Sequence, residues 1–179
     1  MADIDSFSLE LLEEAKRFFE MANETNSADG KRAFFHASLF LALSALEGHI
    51  NSVATDFEGR NEISIHERGL LLERDVKLDK GQFVFGNLKI SRLEDRIQLL
   101  IAKFTNEPFD SSQVWWAKLK GAIIARNKLV HPKDVHAVTE ADVQSALEAV
   151  IEGIDAVYKA VYRRSFPALK RNLHSKLVF

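Results

Sequence analysis

The stretch ASLFLALSAL, from Ala37 to Leu46, is the longest nearly apolar run in this 179-residue chain, and it decides the fold. The run is apolar on almost every side of a helix, which is typical of a helix surrounded by other helices. It is too short to span a bilayer, which requires about 20 apolar residues. We therefore predict a central bundle helix from Lys31 to Asp56 and no membrane association.

The sequence on both sides of this run carries the three-and-four spacing of amphipathic helices. Helix breakers are sparse, with 8 glycines and 3 prolines. Ser91 and Glu94 are spaced as a capping box, and Thr139 is placed to cap the last helix. Besides the central helix, we predict helices at residues 5–23, 63–78, 91–105, 111 or 112 to 130, and 139–162.

Two segments depart from the helical pattern. Residues 79–87, DKGQFVFGN, have strand-like character, so we expect an irregular loop or at most a short hairpin near residues 79–90. The basic segment after Tyr162 is broken by Pro167, and we favour a disordered tail, although its apolar end could pack on a neighbour. The prediction is an all-α, up-and-down bundle of five to six helices over residues 1–165, followed by a basic C-terminal tail over residues 166–179.

Composition limits the function classes. Hydrophobic residues make up 46% and charged residues 28% of the chain, as in ordinary soluble single domains. The absence of cysteine excludes disulfides, thiolate metal sites and cysteine nucleophiles, and it fits a cytoplasmic location. The acidic, helical N-terminus is unlike a signal peptide. A net charge of −2 argues against general coating of nucleic acid but permits a local basic site.

The stretch ARNKLVHP, from Ala125 to Pro132, combines residues that suit phosphate chemistry. Arg126 and His131 would point about 140° apart in a continuous helix, but Pro132 pushes the preceding residue away from helical dihedrals. His131 could then meet Arg126 or Asn127 around one concavity. A histidine can move protons and an arginine can hold a phosphate, which suits metal-independent RNA cleavage by the RNA's own 2′-hydroxyl. The alternative is an ordinary basic helix end.

The spacing Arg126-Asn127-x-x-x-His131-Pro132, late in a helical bundle, resembles the motif of the HEPN superfamily, the "higher eukaryotes and prokaryotes nucleotide-binding" domains. Residues 42–51, ALSALEGHIN, are similar to a Leu-Glu-x-x-Ile-Asn pattern found in several HEPN groups. The motif resemblance covers about thirty residues, and the general helical layout covers most of the chain.

The resemblance implies a homodimer in which the motif histidines of two protomers meet across a composite cleft. It implies a metal-independent endoribonuclease without cofactors, in a bacterial toxin–antitoxin or phage-defence system, with an antitoxin protein as a second partner. The resemblance also implies roles for the motif residues: Arg126 would bind phosphate, His131 would be the acid or base, and Asn127 would hydrogen-bond the RNA backbone. Other family members are non-catalytic modules that bind a protein or nucleotide, and this is the alternative function.

Further residues could join this cleft. Glu47, His49 and Asn51 could orient the motif side chains, or they could simply be solvated at a helix end. Lys120, Lys128 and Lys133 are candidates for contacts with the RNA backbone, because residues 116–133 contain five basic residues and no acid. We expect one tryptophan of the 115–116 pair in the core and the other facing a partner or the cleft. His136 could share the cleft, and no histidine spacing indicates a metal site.

Overall fold

The computed structural model describes residues 4–59 and 62–179 and confirms the all-α helical bundle. Within those residues, six α-helices are joined by short connections and one β-hairpin. The elements are α1 (Ile4–Glu24), α2 (Ala28–Thr55), α3 (Ile65–Leu71), β1 (Arg74–Asp79), β2 (Gln82–Leu88), α4 (Leu93–Thr105), α5 (Val114–Val130) and α6 (Glu140–Tyr162), followed by a short 3-10 helix (Leu169–Arg171).

The helix α2 forms the centre of the bundle, as its apolar run predicts. Leu39, Leu46 and Ile50 are at most 1% exposed and belong to one continuous core. The helix α1 packs along α2, and the Ser38 hydroxyl donates a hydrogen bond of 2.7 Å to the Ala15 carbonyl oxygen.

Within the described residues, α2 is also the one helix long and apolar enough to cross a membrane. Central helices of soluble bundles pass the same test of length and composition, so this property alone does not place α2 in a bilayer.

Side-chain pairs give the directions of the helices around the functional motif. Lys31 pairs with Glu140 at 3.5 Å, and the rings of His49 and Tyr158 are in contact, so α2 and α6 run parallel. Lys118 pairs with Glu148 at 2.9 Å, and Trp115, earlier on α5, lies beside Gly153, later on α6, so α5 and α6 run antiparallel. The start of α2, the end of α5 and the start of α6 therefore lie at one end of the bundle.

The second half of the predicted helix at 63–78 is wrong, because the chain turns into strand β1. Glu73 adopts a left-handed backbone with φ of 54°, which ends the helical path. At Gly69, a Cβ would lie 2.6 Å from Val76 Cγ2, so glycine is what allows β1 to fold back against α3. Lys80 and Gly81 both have positive φ, as in the tight turns that close two-residue hairpins. The expected irregular segment is thus a longer antiparallel hairpin.

Two predicted helix starts also differ. The capping box at Ser91 and Glu94 is wrong: Arg92 is the N-cap, the Ser91 backbone N–H donates to the Glu73 carboxylate at 3.1 Å, and Glu94 pairs with Arg92. The fifth helix begins at Val114, slightly later than predicted. Thr139 does cap α6, in a reciprocal capping box with Asp142.

The C-terminal tail is ordered against α1, which corrects the expectation of disorder. The carboxylate of Glu13 accepts hydrogen bonds from the Arg171 side chain at 2.8 Å and from the Lys176 backbone N–H at 2.7 Å. The Arg17 guanidinium donates to the last carbonyl oxygen, and the Phe179 ring meets Phe18 edge-on. The tail therefore packs on its own chain and satisfies a carboxylate that the helix buries.

The tryptophan pair also differs from the expectation. Trp115 is 7% exposed and Trp116 is 2% exposed, so both rings belong to the core. Phe109 lies against both, with ring centroids 6.2 and 4.8 Å away, and this aromatic cluster covers the start of α5. Neither tryptophan is free to stack on a nucleobase.

Candidate functional site at the end of helix α5

His131, the residue before Pro132 in the ARNKLVHP motif, departs from helical geometry, as predicted. The His131 backbone N–H still donates to the Asn127 carbonyl oxygen at 2.9 Å, but its φ and ψ of −124° and 65° are not helical. Pro132 is the physical cause, because its ring disfavours the helical conformation of the preceding residue. The His131 side chain is therefore exposed at the corner between α5 and the loop that leads to α6.

This corner holds a surface pocket of about 430 Å³. Its size falls in the range of small-ligand sites. Asn127 and His131 line it from the end of α5. His136 lines it from the loop, in agreement with the expectation that this histidine could share the cleft. The pocket is lined by Ile124, Asn127, Lys128, His131, Lys133, Asp134, Val135 and His136.

The charge of the pocket is predominantly positive. Lys128 and Lys133 line it together with one carboxylate, Asp134. Across residues 4–59 and 62–179, neither lysine forms an ion pair, so both ammonium groups are available to an anion. Lys120 is exposed two turns earlier on α5 and does not line the pocket, and Lys118 is neutralised by Glu148.

Arg126 does not line the pocket that contains His131, and its side chain is half-buried. On α5 it follows the buried face marked by Leu119 and Ala122, whereas Asn127 is on the exposed side. Its Nε atom is buried and has no hydrogen-bond partner among the described residues. In a continuous helix the two positions point about 140° apart.

Glu47, His49 and Asn51 lie near the other end of α2. Lys31 marks the end of α2 that adjoins the motif, and Glu47 is 16 residues further along, which is about 24 Å at 1.5 Å per residue. The predicted common cleft of these three residues with Arg126 and His131 is therefore not formed within one chain.

Each of these three residues has its own local role. His49 is 2% exposed, its Nδ1 lies 2.9 Å from the Asp5 carboxylate, and its ring packs on Phe166. Burial lowers the pKa of His49 against the opposing effect of Asp5. The Asn51 side-chain oxygen accepts a hydrogen bond of 2.5 Å from Arg96, and Glu47 is exposed close to the same guanidinium.

Arg96 is the residue that the sequence analysis missed at this end. It is 1% exposed and lies 3.6 Å from the Glu73 carboxylate, in addition to its hydrogen bond with Asn51. Burial lowers its pKa, while Glu73 and Glu47 oppose that effect. The signal in the sequence is its position: Leu93, Arg96, Ile97 and Leu100 form one core-facing stripe, and a charge there requires buried partners.

A second unexpected feature is an exposed apolar seam on α5. Val114 is 71% exposed and Ile124 is 57% exposed, and the small residues Ala117 and Gly121 are exposed between them. The spacing of three, four and three residues places all four on one helix face. We call Val114, Ala117, Gly121 and Ile124 the α5 seam. Ile124 also lines the His131 pocket, so the seam leads directly into it.

The described residues contain no group of three histidine, aspartate or glutamate side chains arranged to hold a metal ion. Comparison with protein-family models, with curated protein sequences and with solved structures gave no significant match. The resemblance to the HEPN superfamily therefore rests on the motif residues and the helical layout.

Proposed function

We propose that the protein is a metal-independent endoribonuclease of the HEPN type that acts at the His131 pocket. The observation that carries the proposal is the pocket itself. An exposed histidine, an asparagine side chain and two lysines that form no ion pair with the described residues lie around one concavity at the end of α5. These are the groups needed to move a proton and to neutralise a phosphate without a metal ion.

The residues divide the chemical work as follows. His131 exchanges protons with the reacting hydroxyl groups, and Asn127 hydrogen-bonds a phosphate or ribose oxygen. Lys128 and Lys133 hold the phosphate and stabilise the charge that builds on it. Within one chain these lysines take the place that the family resemblance gives to Arg126, because Arg126 is outside the pocket.

A homodimer is part of the proposal, and the α5 seam supports it. Exposed Val114 and Ile124 would be removed from water by a second copy, and Ala117 and Gly121 let two helix backbones approach closely. At Gly121, an added Cβ would have no heavy atom of the described residues within 4 Å, so those residues leave this face open in the single chain. A two-fold contact in which the two α5 helices run parallel along the seam would place the two His131 pockets side by side in one composite cleft.

A role in a bacterial toxin–antitoxin or phage-defence system, an antitoxin partner and a cytoplasmic location belong to the same proposal and rest on the family resemblance. The alternative is a non-catalytic HEPN-like module that binds a protein partner or a nucleotide. The position of Arg126 favours this alternative, since the most polar member of the motif does not face the pocket. The exposure of His131 favours the ribonuclease, because a module that only used this histidine for packing would bury it.

RNA cleavage in EDTA tests the proposal. Wild-type protein, His131→Ala and the control His174→Ala are incubated with a set of structured and unstructured RNAs. His174 is an exposed tail histidine far along the chain from the pocket. We expect His131→Ala to lose about 10²–10⁴-fold in rate and the control to match the wild type. If the folded wild type leaves every RNA intact, or if His131→Ala cuts as fast as the wild type, the proposal fails.

A further inference from the structure

The loop between α5 and α6 carries a second histidine into the pocket. His136 is half-buried and lines the same cavity as His131, five positions earlier in the chain. Two features hold the loop in place: Val138 is 7% exposed and anchored in the core, and Thr139 is fixed by its capping box with Asp142. His136 is therefore held two residues before an anchored position, whereas Val135 next to it is fully exposed.

We propose that His136 is the second proton-transfer residue of the site and protonates the leaving group, while His131 removes the proton from the attacking hydroxyl. This inference rests on the proposed ribonuclease function. It adds that one protomer contributes both an acid and a base to its pocket, so that proton transfer does not depend on a histidine from the second protomer.

The chemistry requires two such groups. Neutral His131 takes the proton of the ribose 2′-hydroxyl, and the 2′-oxygen forms a bond to phosphorus. The bond between phosphorus and the 5′-oxygen breaks, and the proton on His136 passes to that oxygen. The products are a 2′,3′-cyclic phosphate and a 5′-hydroxyl end. No water, oxidant or metal ion is consumed, and one proton has moved from the enzyme to product while one has moved from substrate to enzyme.

A carboxylate of the neighbouring helix lies near His136. At the start of α6, hydrogen bonds from Thr139 lower the pKa of the Asp142 carboxylate. His136 contributes to the same lowering through its charge, so it lies close to Asp142. Asp134 lines the same pocket as both histidines. Lys128 and Lys133 oppose a charged imidazole, but a bound phosphate would neutralise them.

A change of leaving group tests the assignment. The two substrates are a short RNA with one ordinary phosphodiester and the same RNA with sulfur in place of the bridging 5′-oxygen, both cut in EDTA. A thiolate leaves without protonation, so loss of an acid matters little for the sulfur substrate. We compare the wild type with His131→Ala, His136→Ala and His136→Gln, each checked for folding by circular dichroism, and with His174→Ala as the control.

We expect His136→Ala to cut the ordinary RNA about 10²–10⁴-fold more slowly and to recover most of the wild-type rate on the sulfur substrate. His131→Ala should stay slow on both substrates. His136→Gln keeps a polar side chain and should behave like His136→Ala, which separates proton transfer from packing. Equal slowing of both His136 variants on both substrates, or full activity on the ordinary RNA, overturns the assignment while the ribonuclease stands. A wild type that cuts neither substrate overturns both proposals.

Discussion

Replacement of Glu13 by glutamine tests how the tail is held on α1. The Glu13 side chain is fully buried, and its two oxygens accept hydrogen bonds from Arg171 at 2.8 Å, Lys176 N–H at 2.7 Å and Lys16 at 3.3 Å. Lys16 is also fully buried. The substitution keeps the size of the side chain but removes its charge. The buried Lys16 ammonium then loses its counterion, and the Lys176 N–H faces a neutral amide in place of a carboxylate.

Removing one partner of a buried ion pair costs about 3–5 kcal/mol of unfolding free energy. We expect a value near the lower end, about 3 kcal/mol, because Arg171 is exposed enough to be solvated again. For a chain of this length, that corresponds to a melting temperature lower by about 6–12 °C. Urea unfolding followed by circular dichroism measures the free energy, and Glu14→Gln is the control, since Glu14 forms no ion pair within residues 4–59 and 62–179.

The same substitution has a predicted pH dependence. Burial raises the pKa of Glu13, but the hydrogen bonds from Arg171 and Lys176 and the charge of Lys16 outweigh it, so the pKa lies below the ordinary 4.5. The unfolded chain then binds more protons than the folded chain in acid, and the stabilising contribution is lost as the pH falls below 4.5. The difference between the wild type and Glu13→Gln should shrink there. Equal urea midpoints for the wild type and Glu13→Gln at pH 7 would refute this account of the tail.

The remaining predictions concern two helix contacts. In Gly48→Ala the new methyl group collides with the Ser8 hydroxyl between α1 and α2, so we expect a loss of about 1–3 kcal/mol in the free energy of unfolding by urea. Gly59→Ala should be nearly neutral, because its Cβ would meet no atom of the described residues within 4 Å, and equal effects of the two substitutions would contradict the close approach at Gly48. On the α5 seam, Ile124→Glu should convert the proposed dimer to a monomer in analytical ultracentrifugation at micromolar concentration, whereas Val178→Glu in the exposed tail should not. A wild type that sediments as a monomer would contradict a dimer contact on the seam.

The sequence predicts the bundle because helical periodicity and the apolar run of α2 are local signals. It fails where distant parts of the chain decide the local structure. The end of α3 depends on Gly69 admitting Val76, and the order of the tail depends on a carboxylate from Glu13, more than 150 residues away. The start of α4 similarly depends on Glu73, which takes the Ser91 N–H that a capping box would have used.

The candidate site is predictable in part for the same reason. The departure of His131 from the helix follows from the next residue, and its proximity to Asn127 follows from the helical repeat. The separation of Glu47 and Asn51 from the motif does not follow, because it depends on α2 and α6 running parallel. The seam on α5 is also hidden in the sequence, since an apolar residue such as Ile124 looks like a core residue until the core is known.

The chemical nature of the RNA ends tests the central claim most directly. RNA is incubated with the wild-type protein in EDTA, and the new ends are identified by mass spectrometry. The account predicts 2′,3′-cyclic phosphate and 5′-hydroxyl ends, which disappear with His131→Ala. Intact RNA, or fragments with 3′-hydroxyl and 5′-phosphate ends, would contradict it, because attack by the ribose hydroxyl in the His131 pocket cannot produce either result.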